Sequence, residues 1–366
     1  MSQPTVLNLG HQPIADHSFS ADHSLLAVAC EDNVQLYNND GKSFTPGIVL
    51  GDHDKSVTSI DISPSGRIVT CSQDRNALVW EPQADSSYKP TLVLLRINRA
   101  ATFVRWSPDE TKFAVGSGAR AIAVCYFEEE NDWWVSKHIK KPIRSTILSV
   151  TWHPNSVLIA AGSTDGHARV FSGYIKGVDQ KPQPTIWGER LPFQTLCGDF
   201  VNHTGAWIHD VAFSPSGDSI AYCAHDSSIT VVYPGGADRP PQAIYSVNTS
   251  FLPFKSLVWL SNNEIITAGH DCHPYIFSGN ENGWEYTASI DDPADNTKEQ
   301  SHENSALALF KQMDLKGSDQ GLSTDYILKT IHQNTINTIR AFTHSGDKVT
   351  SVSTSGVDGK VVIFPL

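Results

Sequence analysis

Charge is scarce in this sequence, and positive charge is the scarcer kind. Charged residues make up 18% of the 366, and 27 Lys and Arg against 39 Asp and Glu leave a formal net charge of −12. A general binder of nucleic acid or of an anionic membrane needs net positive surface, so neither partner is expected. Long apolar runs are also missing. They are as short as residues 92–95, far below the roughly 20 residues of a membrane helix, so no membrane insertion is expected. The six cysteines (Cys30, Cys71, Cys125, Cys197, Cys223, Cys272) include no C-x-x-C pair. They read as reduced thiols buried in strands, which makes the glycosylation sequons at Asn202 and Asn248 chance matches. Residues 1–10 lack both the charged and the apolar part of a secretory signal.

Catalytic and cofactor signatures are absent too. There is no phosphate loop, no H-E-x-x-H and no G-x-S-x-G. The run Gly116-Ser117-Gly118-Ala119-Arg120-Ala121 imitates a dinucleotide fingerprint. No helix follows it, and without a helix N-terminus to meet a pyrophosphate it reads as a turn. The 15 His are scattered without ligand spacing. No catalytic residue, metal site or cofactor is expected, although a carboxylate pair inside a channel stays open.

What the chain does have is 40% hydrophobic residues, 25 Gly and 20 Pro. That composition builds a large core with many turns and excludes a disordered chain, a coiled coil or a collagen. One pattern is written seven times: an apolar strand ending in an aromatic residue or Ile, a Ser/His-Pro-type turn, and a second apolar strand. The turns begin at Phe19, Ile62, Trp106, Trp152, Phe213, Trp259 and Phe342, at spacings of 43, 44, 46, 61, 46 and 83 residues. A third strand follows each, ending at Tyr37, Trp80, Phe127, Phe171, Tyr233, Phe277 or Phe364. Asp74, Asp165, Asp226, Asp271 and Asp358 recur in the turns before these third strands. Short strands at this period with no amphipathic helix between them predict an all-β, seven-bladed β-propeller forming a single domain over residues 1–366. The last unit ends without a fourth strand, so the extended apolar residues 5–9 are expected to supply it and close the ring.

Residues 51–81 fit a WD repeat best: Gly51-Asp52-His53, then Ser72, Asp74 and Trp80-Glu81. In that repeat family a loop His, a strand Ser or Thr, a turn Asp and a strand Trp form one hydrogen-bonded set. His53, Ser72, Asp74 and Trp80 are assigned to it, in preference to reading His53 and Asp74 as a catalytic dyad.

Two spacings carry surpluses. Residues 173–207, with Pro182, Pro184 and Pro192, read as a loop insert. Residues 280–330 begin polar and acidic (Asp291, Asp292, Asp295, Glu299, Glu303) and then reach SALALFKQMDLKG. Asn304 or Ser305 can cap a short helix over about 305–316, and Gly317 can end it. Ala306, Leu309, Phe310 and Met313 share one face of that helix, for packing on the propeller or in a partner's groove. The stretch from Lys89 to Arg144 breaks the acidic average, with ten basic residues against six acidic ones. Arg99 and Lys141 are candidates there for docking an acidic partner, the alternative being a solvated rim.

Residues 92–154, from LVLLRINRAATFVRW to SVTWHP, closely resemble the propeller subunits of the actin-related protein 2/3 complex. So do DHDKSVTSIDISPSGRIVTCSQDRNALVWE from Asp52, RLPFQTLC from Arg190, AFSPSGDSIAYCAHDSSITV from Ala212 and FKQMDLKG from Phe310. The resemblance implies a non-catalytic structural subunit that supports nucleation of branched actin filaments in the cytoplasm and cortical cytoskeleton. Its implied partners are actin-related proteins 2 and 3, the other subunits, actin filaments and nucleation-promoting factors. The insert residues Leu309, Phe310 and Met313 are implied in filament and activator contacts. A peptide-binding adaptor, such as a ubiquitin-ligase substrate receptor, is the competing reading, but no extra adaptor motif is visible. An enzyme would need carboxylates or His converging at the channel mouth.

Overall fold

The computed structural model describes residues 3–41, 43–189, 191–236, 239–292 and 328–366. Within them the chain forms seven four-stranded antiparallel sheets, the blades of the expected propeller. The innermost strands are Ile14–Phe19, Val57–Ile62, Ala101–Trp106, Ile147–Trp152, Ile208–Phe213, Phe254–Ser261 and Ile336–Ser345, for blades 1 to 7. Each lies beside the innermost strand of the next blade, and that of blade 7 lies beside that of blade 1, so the ring is closed. The chain enters every innermost strand at what is here termed the upper face. It turns into the second strand at the lower face.

Each blade is sandwiched between two others, so both faces of its middle strands are buried. That is why second strands such as Ile68–Ser72 and Leu158–Ser163 are apolar or small throughout. The apolar core is accordingly divided into seven clusters, one in each seam between neighbouring blades. Close approach demands small residues at set places. A Cβ on Gly116 or Gly162 would come within 2.7 Å of Ile147 or Ile208, the first residue of the next blade.

The outermost strand of blade 7 is Thr5–Asn8, which pairs antiparallel with Lys360–Ile363 at the other end of the chain. The two inserts are shorter than the ranges 173–207 and 280–330, because each range holds the fourth strand that every blade carries. Leu196–Val201 completes blade 4 and Gly283–Ser289 completes blade 6. The alternation in these edge strands is weak, which hides them in the sequence. What remains of residues 173–207 is packed, with Ile175 and Trp187 buried in the seams on either side of blade 4. The second insert departs and returns at one point, where the Asp291 carboxylate accepts the Ile331 N–H. The helix expected over 305–316 lies outside the described residues.

Candidate functional site

Blade 2 holds a buried relay. His53 Nδ1 lies 2.7 Å from Asp74 Oδ2 and Nε2 lies 2.8 Å from Thr70 Oγ1, which accepts the Trp80 indole N–H at 3.0 Å. Both ring nitrogens of His53 are thus occupied, and none is left to act on a substrate. Of the four residues assigned from sequence, the structure brings His53, Asp74 and Trp80 into this set and leaves Ser72 beside it. Ser72 Oγ donates to the Lys55 carbonyl at 2.7 Å and accepts the Asp74 N–H at 3.1 Å. The bridging hydroxyl is Thr70, on the same strand face as Ser72 and one step nearer the Trp. Blade 7 repeats the relay with His332, Thr354 and Asp358. There Phe364 stands where blade 2 has Trp80, and the Thr354 hydroxyl donates to the Val362 carbonyl instead. The spacing Thr-x-x-x-Asp, shared by residues 70–74 and 354–358, is the signal that finds both.

The channel is lined by three layers of inner-strand side chains. In the middle layer Asp16 accepts from Ser59 Oγ at 2.7 Å and the Ile60 N–H at 3.2 Å, in the neighbouring blade. Arg105 and Arg340 reach the same carboxylate at 3.0 and 3.2 Å, and Arg340 also holds Asp61 at 2.8 Å. Burial alone would raise the Asp16 carboxyl, but the two guanidiniums and Ser59 hold it well below the ordinary range. Asp210, opposite, accepts from Ser149 Oγ, Ser256 Oγ and the Val211 and Leu257 N–H groups. Burial prevails there, against those hydrogen bonds, and pushes its carboxyl up. Carboxylates therefore do converge in the channel, but each is committed to donors in its own blade or in blades one or two away. Their chemistry is that of clamps between blades. Among the described residues no group of three or more His, Cys, Asp or Glu is placed to hold a metal ion.

The basic stretch divides by face. Arg96, Arg99, Arg120, Lys140, Lys141 and Arg144 are exposed on turns and connections at the upper face. Asp109, Glu110, Glu128, Glu129, Glu130 and Asp132 lie in lower-face turns. Several of the acidic residues line a groove there with Phe127 and Trp134. Two of the ten basic residues are not surface charges: Arg105 is in the channel, and Lys112 is fully buried with its ammonium on Asp179. The net charge of the stretch thus understates a concentrated positive upper rim on which Arg99 and Lys141 both stand. Leu309, Phe310 and Met313 lie outside the described residues.

Sequence comparisons match the WD domain, G-beta repeat family at residues 44–81, 136–172 and 194–231. Actin-related protein 2/3 complex subunit 1 of Schizosaccharomyces pombe is 47% identical over 100% of this chain and 100% of its own. The Saccharomyces cerevisiae protein of that name is 47% identical over 99% of this chain and 97% of its own. Subunit 1A-A of Xenopus laevis is 45% identical, covering 96% of this chain and 94% of its own.

Proposed function

The chain belongs to the actin-related protein 2/3 complex subunit 1 family, and from that premise we propose that it serves the complex as a rigid, non-catalytic scaffold. It is a structural subunit of that assembly, and its setting is the actin cytoskeleton. The observation that carries the reading is full-length identity to curated members at 47%, with neither chain leaving a domain unmatched in the fission yeast case. A closed propeller suits the task. It holds several surfaces at fixed mutual angles, so partners docked on it lose less freedom on forming a filament-like nucleus. The fully bonded His53 and the clamped channel carboxylates favour scaffold over enzyme. No observation favours the adaptor alternative.

The finer assignments follow from chemistry. The positive upper rim, with Arg99 and Lys141, docks an acidic face of another subunit. The apolar face of Leu309, Phe310 and Met313 contributes to filament and activator contacts, with the protein in cytoplasmic, cortical actin structures. One set of purifications tests this. Tagged parent chain should co-purify stoichiometrically with two actin-related proteins and show no enzymatic turnover of its own. Arg99→Glu with Lys141→Glu should weaken assembly, and more so at low salt, where a surface field reaches farther. Leu309→Ala with Phe310→Ala should leave assembly and melting intact and reduce branch formation. Purification without actin-related proteins would overturn the scaffold. Charge reversal without effect across a salt series would remove the rim from docking.

A further inference from the structure

The upper mouth of the channel differs from the wall below it in carrying a positive charge with no paired carboxylate. Lys255 enters the channel from the innermost strand of blade 6, one layer above Asp210. Its side chain is partly buried, and among the described residues its ammonium has neither an ion pair nor a hydrogen bond. Every other cation in or behind the channel wall is matched: Arg105 and Arg340 by Asp16 and Asp61, Lys112 by Asp179. An unpaired, partly buried ammonium is costly, and burial lowers the affinity of Lys255 for its proton.

The neighbours of Lys255 are histidines that burial and the lysine itself keep neutral, so they offer the cavity N–H donors and no negative charge. His209, from the innermost strand of blade 5, places Nε2 2.9 Å from His225 Nδ1, and the His270 ring follows at 6.5 Å from that of His225. Burial first, then Lys255 and the other two histidines, holds His209 down to about 3. Lys255 acts in the same direction on His270, after burial. Acidic groups nearby are spent. Asp16 is held by two arginines, Asp210 by four donors, and Asp271 by the Leu252 N–H and the Tyr275 hydroxyl. Lys255 and His209 open into a cavity of about 420 Å³ with Ser56, Gln73, Asn337 and Thr102 in its wall. Among the described residues the Ser56 and Gln73 side chains make no hydrogen bond, and both are exposed as available donors.

We propose that this mouth is an oxyanion site whose ligand is a phosphate group, held by Lys255 and His209 with Ser56 and Gln73 as further donors. A phosphate offers several acceptor oxygens to donors that line one cavity from several blades, and its negative charge matches the lysine that has no carboxylate partner. The site rests on the channel geometry alone and stands or falls independently of membership in the complex.

The test uses the full-length chain and two probes, inorganic phosphate and a neutral hexapeptide carrying one phosphoserine. Titration calorimetry and melting curves read binding, with sulfate at matched ionic strength as the comparison. Phosphate should raise the parent melting temperature, as any ligand of the native state does. Lys255→Met should melt no lower than the parent in phosphate-free buffer, because it removes an unpaired, partly buried charge. It should also bind phosphate at least about tenfold more weakly. Lys255→Arg should restore binding, and Lys89→Met on the exposed edge of blade 2 should leave it unchanged. Binding of both probes means that the site admits a partner's phosphorylated side chain. Binding of phosphate alone confines it to small ions. A parent that binds neither probe, or a Lys255→Met variant that binds phosphate as tightly as the parent, overturns the proposal.

Discussion

The blade 2 relay shows how much one hydroxyl carries. Thr70 Oγ1 satisfies His53 Nε2 and Trp80 Nε1 at once, and both of those side chains are buried. Thr70→Val keeps the shape and strands two polar nitrogens, so it should lower stability by roughly 2 kcal/mol or more. Ser72→Ala, which frees the Lys55 carbonyl and the Asp74 N–H within reach of solvent, should cost about 1 kcal/mol. Chemical denaturation of the two variants ranks them, and equal losses would contradict the relay. Sequence made the His, Asp and Trp legible because a loop, a turn and a strand end mark them. It misplaced the hydroxyl because Ser72 and Thr70 share one strand face, and only packing decides which meets the indole. A second residue, His17, was not legible at all. It is fully buried between blades 1 and 7, with Nδ1 and Nε2 each 2.8 Å from the hydroxyls of Ser355 and Ser353. Burial, with Arg340 beside it, lowers its proton affinity from 6.5 to about 3. The unfolded chain therefore takes up a proton that the native chain refuses between those limits. Stability present above about pH 6.5 should be lost as pH falls toward 3, at up to about 1.4 kcal/mol per pH unit for this group. Denaturant midpoints between pH 7 and 4.5 should fall less steeply for His17→Asn than for the parent, and an unchanged slope would assign the acid sensitivity elsewhere.

At the scale of the element, the first insert reads as a loop in sequence and is a packed strap in the structure. Its proline content and missing alternation concealed the strand Leu196–Val201, whose residues face solvent on much of their surface. Its anchors were concealed for a different reason. A lone Asp and a lone Trp in a Pro-rich segment carry no periodic signal, yet Trp187 donates its indole N–H to the Gly217 carbonyl at 2.8 Å, and Asp179 receives the buried Lys112 ammonium. That ion pair bridges blade 3 and the strap, and it turns a basic residue counted as surface charge into core. Burial lowers the proton affinity of Lys112 and Asp179 opposes the shift. Because each charge is removed from water, losing one partner should cost far more than losing both. Asp179→Leu alone is expected to destabilise by roughly 3 to 5 kcal/mol, while Lys112→Met with Asp179→Leu should come near the parent. A double-mutant cycle from urea melts reads the coupling, and additive losses would show that the pair is not the anchor.

At the scale of the whole molecule the ring is held shut at a seam unlike the others. Seams inside the chain fill with apolar side chains supplied by consecutive repeats, whereas the seam between blades 7 and 1 joins the two chain ends. Its buried cluster is only Ile14, Leu26, Val28, Tyr37 and Val361, with Leu7 and Leu9 packed on it from the N-terminal segment. Polar contacts make up the difference on the channel side: Arg340 on Asp16, His17 on Ser353 and Ser355, and the Asn337 amide on the Ile14 carbonyl at 2.7 Å. Outer strand and inner clasp therefore guard one seam from opposite sides. Deleting residues 1–10 removes the partner of Lys360–Ile363 and the cover that Leu7 and Leu9 provide. It should cost roughly 3 kcal/mol or more from lost apolar burial, and it leaves a free strand edge that invites self-association. Arg340→Met weakens the clasp from within. If either closure alone can keep the ring together, removing both should cost more than the sum of the separate losses, since contacts across one shared seam are not independent. Melting curves with light scattering on the deletion, the point variant and their combination give the answer. A deletion that melts with the parent and stays monomeric would show that the inner clasp closes the propeller by itself.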